Sequence, residues 1–166
     1  HQQNELHVRH LPDGEVRVLT NGYDHTLTDI QWSSQSNAIH ALANVEGELH
    51  LVEITLDGAV RTLITDVGGT SLGRPYAAGD YAVGGSGRGR ILAWTAGDTM
   101  HPPELAIRVG DAEPRVVTDL NSDLLANIAL PRIEELRVES RLDGLPIEAW
   151  VAIPDGVEAD GTAPMI

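Results

Sequence analysis

Between positions 29 and 65 the chain breaks into four short apolar-rich runs, 29–33, 38–45, 48–55 and 60–65. Each has the length and the aliphatic, β-branched content of a strand. Leu56-Asp57-Gly58 supplies the turn between the last two. Nearer the other end the alternation is stricter. Leu136 and Val138 fall on one side of a strand, with Arg137 and Glu139 on the other. Beyond Leu142-Asp143-Gly144-Leu145, residues Ile147, Ala149, Val151 and Ile153 share a face, with Glu148, Trp150 and Ala152 opposite. Period-two runs on both sides of an Asp-Gly pair predict a strand–turn–strand unit. Pro154-Asp155-Gly156 closes its second strand, a polar loop follows, and Ala163-Pro164-Met165-Ile166 opens another apolar run. A strand cut off at its start predicts an excerpt of a longer protein. Helical signal is confined to 120–130, which predicts one or two turns with Asn121 or Ser122 as N-cap, in a linker.

One phrase occurs three times. Glu5-Leu6-His7-Val8-Arg9 precedes Gly14-Glu15-Val16-Arg17-Val18-Leu19-Thr20. Glu48-Leu49-His50-Leu51-Val52 precedes Gly58-Ala59-Val60-Arg61-Thr62-Leu63-Ile64-Thr65. Glu104-Leu105-Ala106-Ile107-Arg108 precedes Ala112-Glu113-Pro114-Arg115-Val116-Val117-Thr118. Leu6 and Leu49 are 43 positions apart, and Leu49 and Leu105 are 56 apart. Repeats of about 40–50 residues, each holding several short strands, predict blades of a β-propeller. The longer interval places an insertion at 84–90 or 95–103. The fold class that follows is all-β, with four-stranded antiparallel blades and the repeated phrase as the third strand of each. Residues 29–65 make one whole blade. The next reads 74–76, 81–83, 90–95, 104–109 and 115–118, its first two strands weakly marked. Residues 1–20 make the outer half of an earlier one.

Composition narrows the partners. The formal charge is −14, Lys is absent and all eleven basic residues are Arg. No basic patch can neutralise phosphates, which argues against nucleic acid and against an anionic membrane surface. The acidity reads as solubility or a salt-adapted source; the sharper alternative is attraction for cationic substrates. With no Cys, disulfides and thiolate metal sites are excluded. No apolar run reaches the length of a membrane span, and no signal peptide is visible. A cytoplasmic rather than secreted or periplasmic setting is expected, although His1 in place of Met leaves room for a removed leader.

Candidate chemistry is sparse. Gly84-Gly85-Ser86-Gly87-Arg88 imitates the G-x-S-x-G nucleophile elbow, but its fifth position is Arg and no helix pattern follows, so a blade hairpin loop is expected. The same string is neither a P-loop, which needs Lys, nor a dinucleotide fingerprint, since no βαβ unit follows Val83. His7 and His10, three apart on a strand, point to opposite faces and cannot clamp one ion. His7 and His50 hold equivalent repeat positions, and His101 sits in a loop before Pro102-Pro103. Glu134 and Glu135 diverge on a strand, so no carboxylate pair stands out for glycosidase chemistry. Trp32 and Trp150 read as core or inter-domain packing, and Trp94 lies near a rim loop. Arg88 and Arg90 are the first residues to test for ligand contact, against a plainer reading as solvated loop charges. No catalytic, cofactor or metal residue is assigned.

Two stretches resemble the prolyl-oligopeptidase family of serine peptidases, in its acylaminoacyl-peptidase and dipeptidyl-peptidase-like branch. Asp143, Gly144, Ile147, Ala149, Trp150, Val151 and Pro154, followed by Pro164, Met165 and Ile166, resemble the junction where a propeller hands over to an α/β-hydrolase domain. Pro102, Pro103, Glu104, Leu105 and Ile107, then Pro114, Arg115, Thr118, Leu120 and Asn121, resemble the last blade and exit linker. The likeness covers about residues 90–166. The Gly-rich 80–94 stretch departs from the usual blade. The resemblance implies blades over 1–130 and the first strands of a hydrolase domain over 131–166. It implies a parent enzyme that hydrolyses short peptides, with a Ser–His–Asp triad beyond Ile166 and a propeller that limits entry. The partner implied is a peptide substrate, reached through the hydrolase domain. The competing function is a non-enzymatic, TolB-like propeller that serves as a binding platform, with a propeller glycosidase or lactonase further off. The isolated chain is expected to fold poorly or self-associate, because an open array of blades leaves faces and edges uncovered.

Overall fold

The computed structural model describes residues 3–69, 78–158 and 161. The chain divides into two compact units, His1–Asp119 and Leu120–Ile166, so the division falls ahead of the 120–130 segment. In the first unit, β1 (His7–Arg9) and β2 (Val16–Val18) form an antiparallel pair. Next come β3 (Leu27–Trp32), β4 (Ala38–Val45), β5 (Glu48–Thr55) and β6 (Val60–Ile64), a four-stranded antiparallel sheet in chain order. A second such sheet holds β7 (Tyr81–Gly84), β8 (Ile91–Ala96), β9 (Glu104–Val109) and β10 (Arg115–Val116). The repeated Glu-Leu phrase is the third strand of both sheets. The expected strand at 74–76 lies outside the described residues.

The middle sheet is covered on both faces. Successive strand residues point to opposite sides. On one side Ile39, Ala41, Ala43, Val52 and Ile54 pack with Leu6, Leu19 and Leu27. On the other, Leu42, Leu49, Leu51, Leu63 and Ile64 pack with Leu92, Trp94 and Ala106 of the following sheet. Burial therefore runs unbroken from Ala38 to Ala43. A sheet buried on both faces reads as a continuous apolar run rather than an alternation, as β4 does. Each large aliphatic side chain placed there stabilises the layer by about 1.5–3 kcal/mol.

Turn chemistry fixes the register. Glu46 (φ +48°) and Gly47 (φ +81°) join β4 to β5 as a two-residue loop with both φ values positive, the twist that suits antiparallel strands. The loop before β8 folds back on the loop after β9, where Gly110 N donates to the Arg90 carbonyl at 2.7 Å. A Cβ at Gly110 would sit 2.5 Å from the Arg88 carbonyl oxygen, so only glycine fits.

Trp94 is 1% exposed and its indole N–H donates to Asp66 Oδ1 at 3.1 Å, so it is core and not rim. Trp32 is not in the core of this unit. It is 54% exposed, because β3 is an edge strand of which only Leu27 is buried.

In the second unit, α1 (Ser122–Leu125) is a single turn with Asn121 at its N-cap. Strands β11 (Arg132–Glu139) and β12 (Pro146–Ile153) pair antiparallel, with Leu136 opposite Ala149 and Val138 opposite Ile147. The turn uses Asp-Gly as its sequence predicts. Gly144 takes φ +71° and donates to the Ser140 carbonyl, while the Leu145 N–H reaches Asp143 Oδ1. Leu136, Val138 and Ile147 remain exposed on one face, and Trp150, also exposed, is on the other. The 163–166 run lies outside the described residues. Among the described residues no helix is long and apolar enough to cross a membrane.

Candidate functional site

A row of polar side chains crosses the middle sheet on its otherwise apolar second face. Register places Gln31 opposite His40, His40 opposite Glu53 and Glu53 opposite Arg61. Glu53 is the hub. Its Oε1 accepts from Arg61 Nη2 at 2.6 Å, and its Oε2 accepts from Arg90 Nη1 at 2.7 Å. His40 Nε2 lies 3.3 Å from the same Oε2. A carboxylate only accepts, so Nε2 carries the proton and Nδ1 is a bare lone pair. That Nδ1 is buried without a hydrogen-bond partner.

Burial and charge set the protonation states. Desolvation pushes the His40 imidazole below its ordinary range, outweighing the hydrogen bond and charge of Glu53, and Arg90 adds to the effect. Burial alone would raise the Glu53 carboxyl. The hydrogen bond from Arg61, the charges of Arg90 and Arg61 and the His40 contact reverse this and hold it below the usual carboxylate range. The pair is thus a neutral imidazole beside an ionised carboxylate.

Arg90 comes from the following sheet, just ahead of β8, and so ties the two sheets at one end of their shared layer. Arg108 of β9 joins from the same side and donates through Nη1 to the Leu63 carbonyl at 3.0 Å. At the other end Gly68 N donates to the Thr95 carbonyl, and Thr95 Oγ1 to the Gly68 carbonyl, at 2.7 and 2.9 Å. Tyr81 closes the inner edge, donating to the Asp29 carbonyl at a bulge in β3 where Asp29 takes φ +51°. Burial, with Asp29 nearby, raises its phenol above the usual range. The cluster resembles half of an acyl-transfer triad, but among the described residues no hydroxyl is bonded to His40. It is an electrostatic tie between sheets.

The residues singled out from sequence fall elsewhere. Ser86 is exposed in the β7–β8 loop, which ends in a 3₁₀ turn over Gly87–Gly89. Among the described residues no histidine is hydrogen-bonded to a serine. His7 pairs with Glu5, His10 with Asp13, His50 with Glu48 and His101 with Asp98. His7 and His10 thus have separate carboxylate partners. Among the described residues no group of three or more His, Asp or Glu is placed to hold a metal ion. Arg88 is exposed, whereas Arg90 is half-buried and its Nη1 is on Glu53, so it is not a solvated loop charge. Glu134 and Glu135 face opposite sides of β11, and Arg137 donates to Glu135 at 2.9 Å.

No protein-family model and no curated protein matches the sequence. Solved structures do. The orthorhombic form of Pyrococcus horikoshii acylaminoacyl peptidase superposes with a TM-score of 0.62 at 19% identity, over 91% of this chain and 21% of that one. This chain shares the fold of a stretch of acylaminoacyl peptidase. An acylaminoacyl peptidase in complex with Z-Gly-Gly-Phe-chloromethyl ketone gives 0.60 at 20% identity, over 92% and 21%. The AtxE2 isopeptidase, as a variant with Astexin3-dC4 bound, gives 0.58 at 16%, over 89% and 21%. The chain spans about a fifth of the length of these proteins. The expected fold class, an all-β, propeller-like segment with four-stranded antiparallel blades, is the one observed.

Proposed function

We propose that this chain is the propeller-side part of a serine peptidase of the prolyl-oligopeptidase family, with the hairpin that leads into its α/β-hydrolase domain. The carrying observation is the extent of the shared fold. The acylaminoacyl-peptidase likeness takes in 91% of the chain, more than His1–Asp119 alone could supply. The order of blades, exit linker and hairpin supports the same reading, as do the motifs at 102–121 and 143–154.

The reaction is acyl transfer from a short peptide. A serine attacks the scissile carbonyl, a histidine takes its proton and backbone donors hold the oxyanion. These groups lie after Ile166 in the parent protein. The blades cap that site and admit only short or unfolded peptides. The partner is a peptide; neither nucleic acid nor a membrane surface is one.

A fluorophosphonate probe tests the assignment. The full-length parent is labelled stoichiometrically and this chain is not; labelling of Ser86 would overturn it. A parent without a reactive serine is the outcome expected of a TolB-like binding platform. The gate is tested separately. The parent cleaves a short N-acylated peptide and spares the same sequence inside a folded protein, and equal cleavage of both removes the gating role.

A further inference from the structure

We propose that the cleft beside the Glu53 cluster binds a small oxyanion, a phosphate or a compact carboxylate. The cleft has a volume of about 340 Å³ and is lined by Arg61, Arg90 and Arg108, with Asp111, Glu113 and Pro114 among its other walls. That volume is in the range of small-molecule sites, which begin at about 300 Å³.

Three guanidinium groups share this space, and each offers five N–H donors in a planar fork. Among the described residues only one side-chain nitrogen of each is engaged. Arg61 Nη2 and Arg90 Nη1 are on Glu53, and Arg108 Nη1 is on the Leu63 carbonyl. Arg108 Nε is buried with no hydrogen-bond partner, and among the described residues Arg108 makes no ion pair. A buried charged donor without an acceptor is costly, and such groups are found paired or hydrogen-bonded. Nε itself is closed to solvent, so an anion in the cleft acts on the Arg108 charge through the rest of the fork, which an anionic acceptor suits best.

Charge bookkeeping agrees. Glu53 neutralises one of the three arginines and His40 is neutral beside it. Asp111 and Glu113 carry the opposing charge, but both are exposed at the lip, where water screens them. Arg90 and Arg108 are half-buried, so their field dominates inside. The fork geometry selects a planar or tetrahedral oxyanion over chloride. The lip carboxylates repel large polyanions, which favours a compact one.

The test is isothermal titration of the full chain with inorganic phosphate and, separately, with succinate, in chloride buffer at constant ionic strength. Saturable binding in about the millimolar range is expected. Arg108→Met weakens it by roughly tenfold or more, the worth of a charge-assisted hydrogen bond. Arg61→Gln, a change at a 63% exposed side chain that leaves folding intact, also weakens it. Arg17→Gln, which removes the same charge outside the cleft, does not. If Arg108→Met fails to fold, the Arg61 and Arg17 pair decides. Saturable binding of neither anion overturns the proposal. So does binding that survives the cleft substitutions, or that falls equally in Arg17→Gln. None of these outcomes bears on the peptidase reading, whose readout is a serine label.

Discussion

Glu53→Ala removes one carboxylate and leaves three donors facing one another. Glu53 is 15% exposed and Arg90 19%, so water screens their bond little. A charge-assisted hydrogen bond of this kind contributes about 1.5–3 kcal/mol. Arg61 is 63% exposed, and its contact is discounted to about 0.2–1 kcal/mol. His40, 2% exposed, loses the acceptor for its Nε2–H, and a buried donor stranded in this way costs about 1–3 kcal/mol. Partners in one network do not add. The expected loss for Glu53→Ala is therefore about 3 kcal/mol, against less than about 1 kcal/mol for Arg61→Ala. Urea unfolding followed by tryptophan emission measures it. Trp94 is 1% exposed in the same layer, whereas Trp32 and Trp150 are 54% and 44% exposed, so the change in emission reports chiefly on that layer. With a urea slope of about 1–3 kcal/mol/M, the midpoint falls by about 1–3 M at unchanged slope. A double-mutant cycle with Arg90→Ala isolates the inter-sheet pair. Equal losses for Glu53→Ala and Arg61→Ala, or no coupling between positions 53 and 90, would refute the tie.

Three further outcomes are expected. The His40 pKa lies below its ordinary 6.5 in the folded chain, so the unfolded chain takes up that proton first. This stability is full above about pH 6.5 and declines below it. The Glu53 share, full above its ordinary 4.5, is lost at lower pH as the carboxyl protonates. Urea midpoints should thus fall from pH 7.5 to 6.0 to 5.0, and His40→Gln should flatten the first step; an equally steep first step in the variant contradicts the assignment. Trp94→Ala should cost about 3–5 kcal/mol by circular dichroism, because it empties the largest side chain of the layer, and a cost below about 1.5 kcal/mol would mean that the layer is loosely packed. Replacing Val138 and Ile147 with Thr should reduce self-association in sedimentation velocity without altering the melting of the first unit. Unchanged association would place the sticky surface elsewhere.

Strand content was legible because propeller blades are local. Each strand pairs with the next along the chain, so a phrase that repeats in sequence repeats in space. Residues 38–45 and 48–55 match β4 and β5 to the residue, and 29–33 is displaced by two at its start because Asp29 sits in a bulge. The polar row was half legible. Counting outward from Glu46-Gly47 sets His40 opposite Glu53, and counting outward from Asp57 sets Glu53 opposite Arg61. A His and a Glu on the inward phase of two apolar strands were the signal. What the chain order could not give was Arg90, whose contact with this row spans 37 positions, and Arg108, whose contact with the nearby Leu63 carbonyl spans 45; both depend on how two sheets stack. The exposure of Trp32 was not legible for a related reason. Its size argues for a core, but burial depends on whether anything stands opposite an edge strand.

The two faces of β4 are not interchangeable. Ala41 and Ala43 meet one neighbouring layer, and His40 and Leu42 the other. A one-residue slip in pairing exchanges the faces of a strand. Here it would drive Leu42 into a space fitted to alanine and strand His40 among aliphatic side chains. A nascent β4–β5 hairpin in the wrong register would thus be rejected by both adjoining layers as they arrive, by one for the bulk and polarity of Leu42 and His40 and by the other for the voids that Ala41 and Ala43 would leave. The fold carries a proofreading step, and the neighbouring sheets perform it.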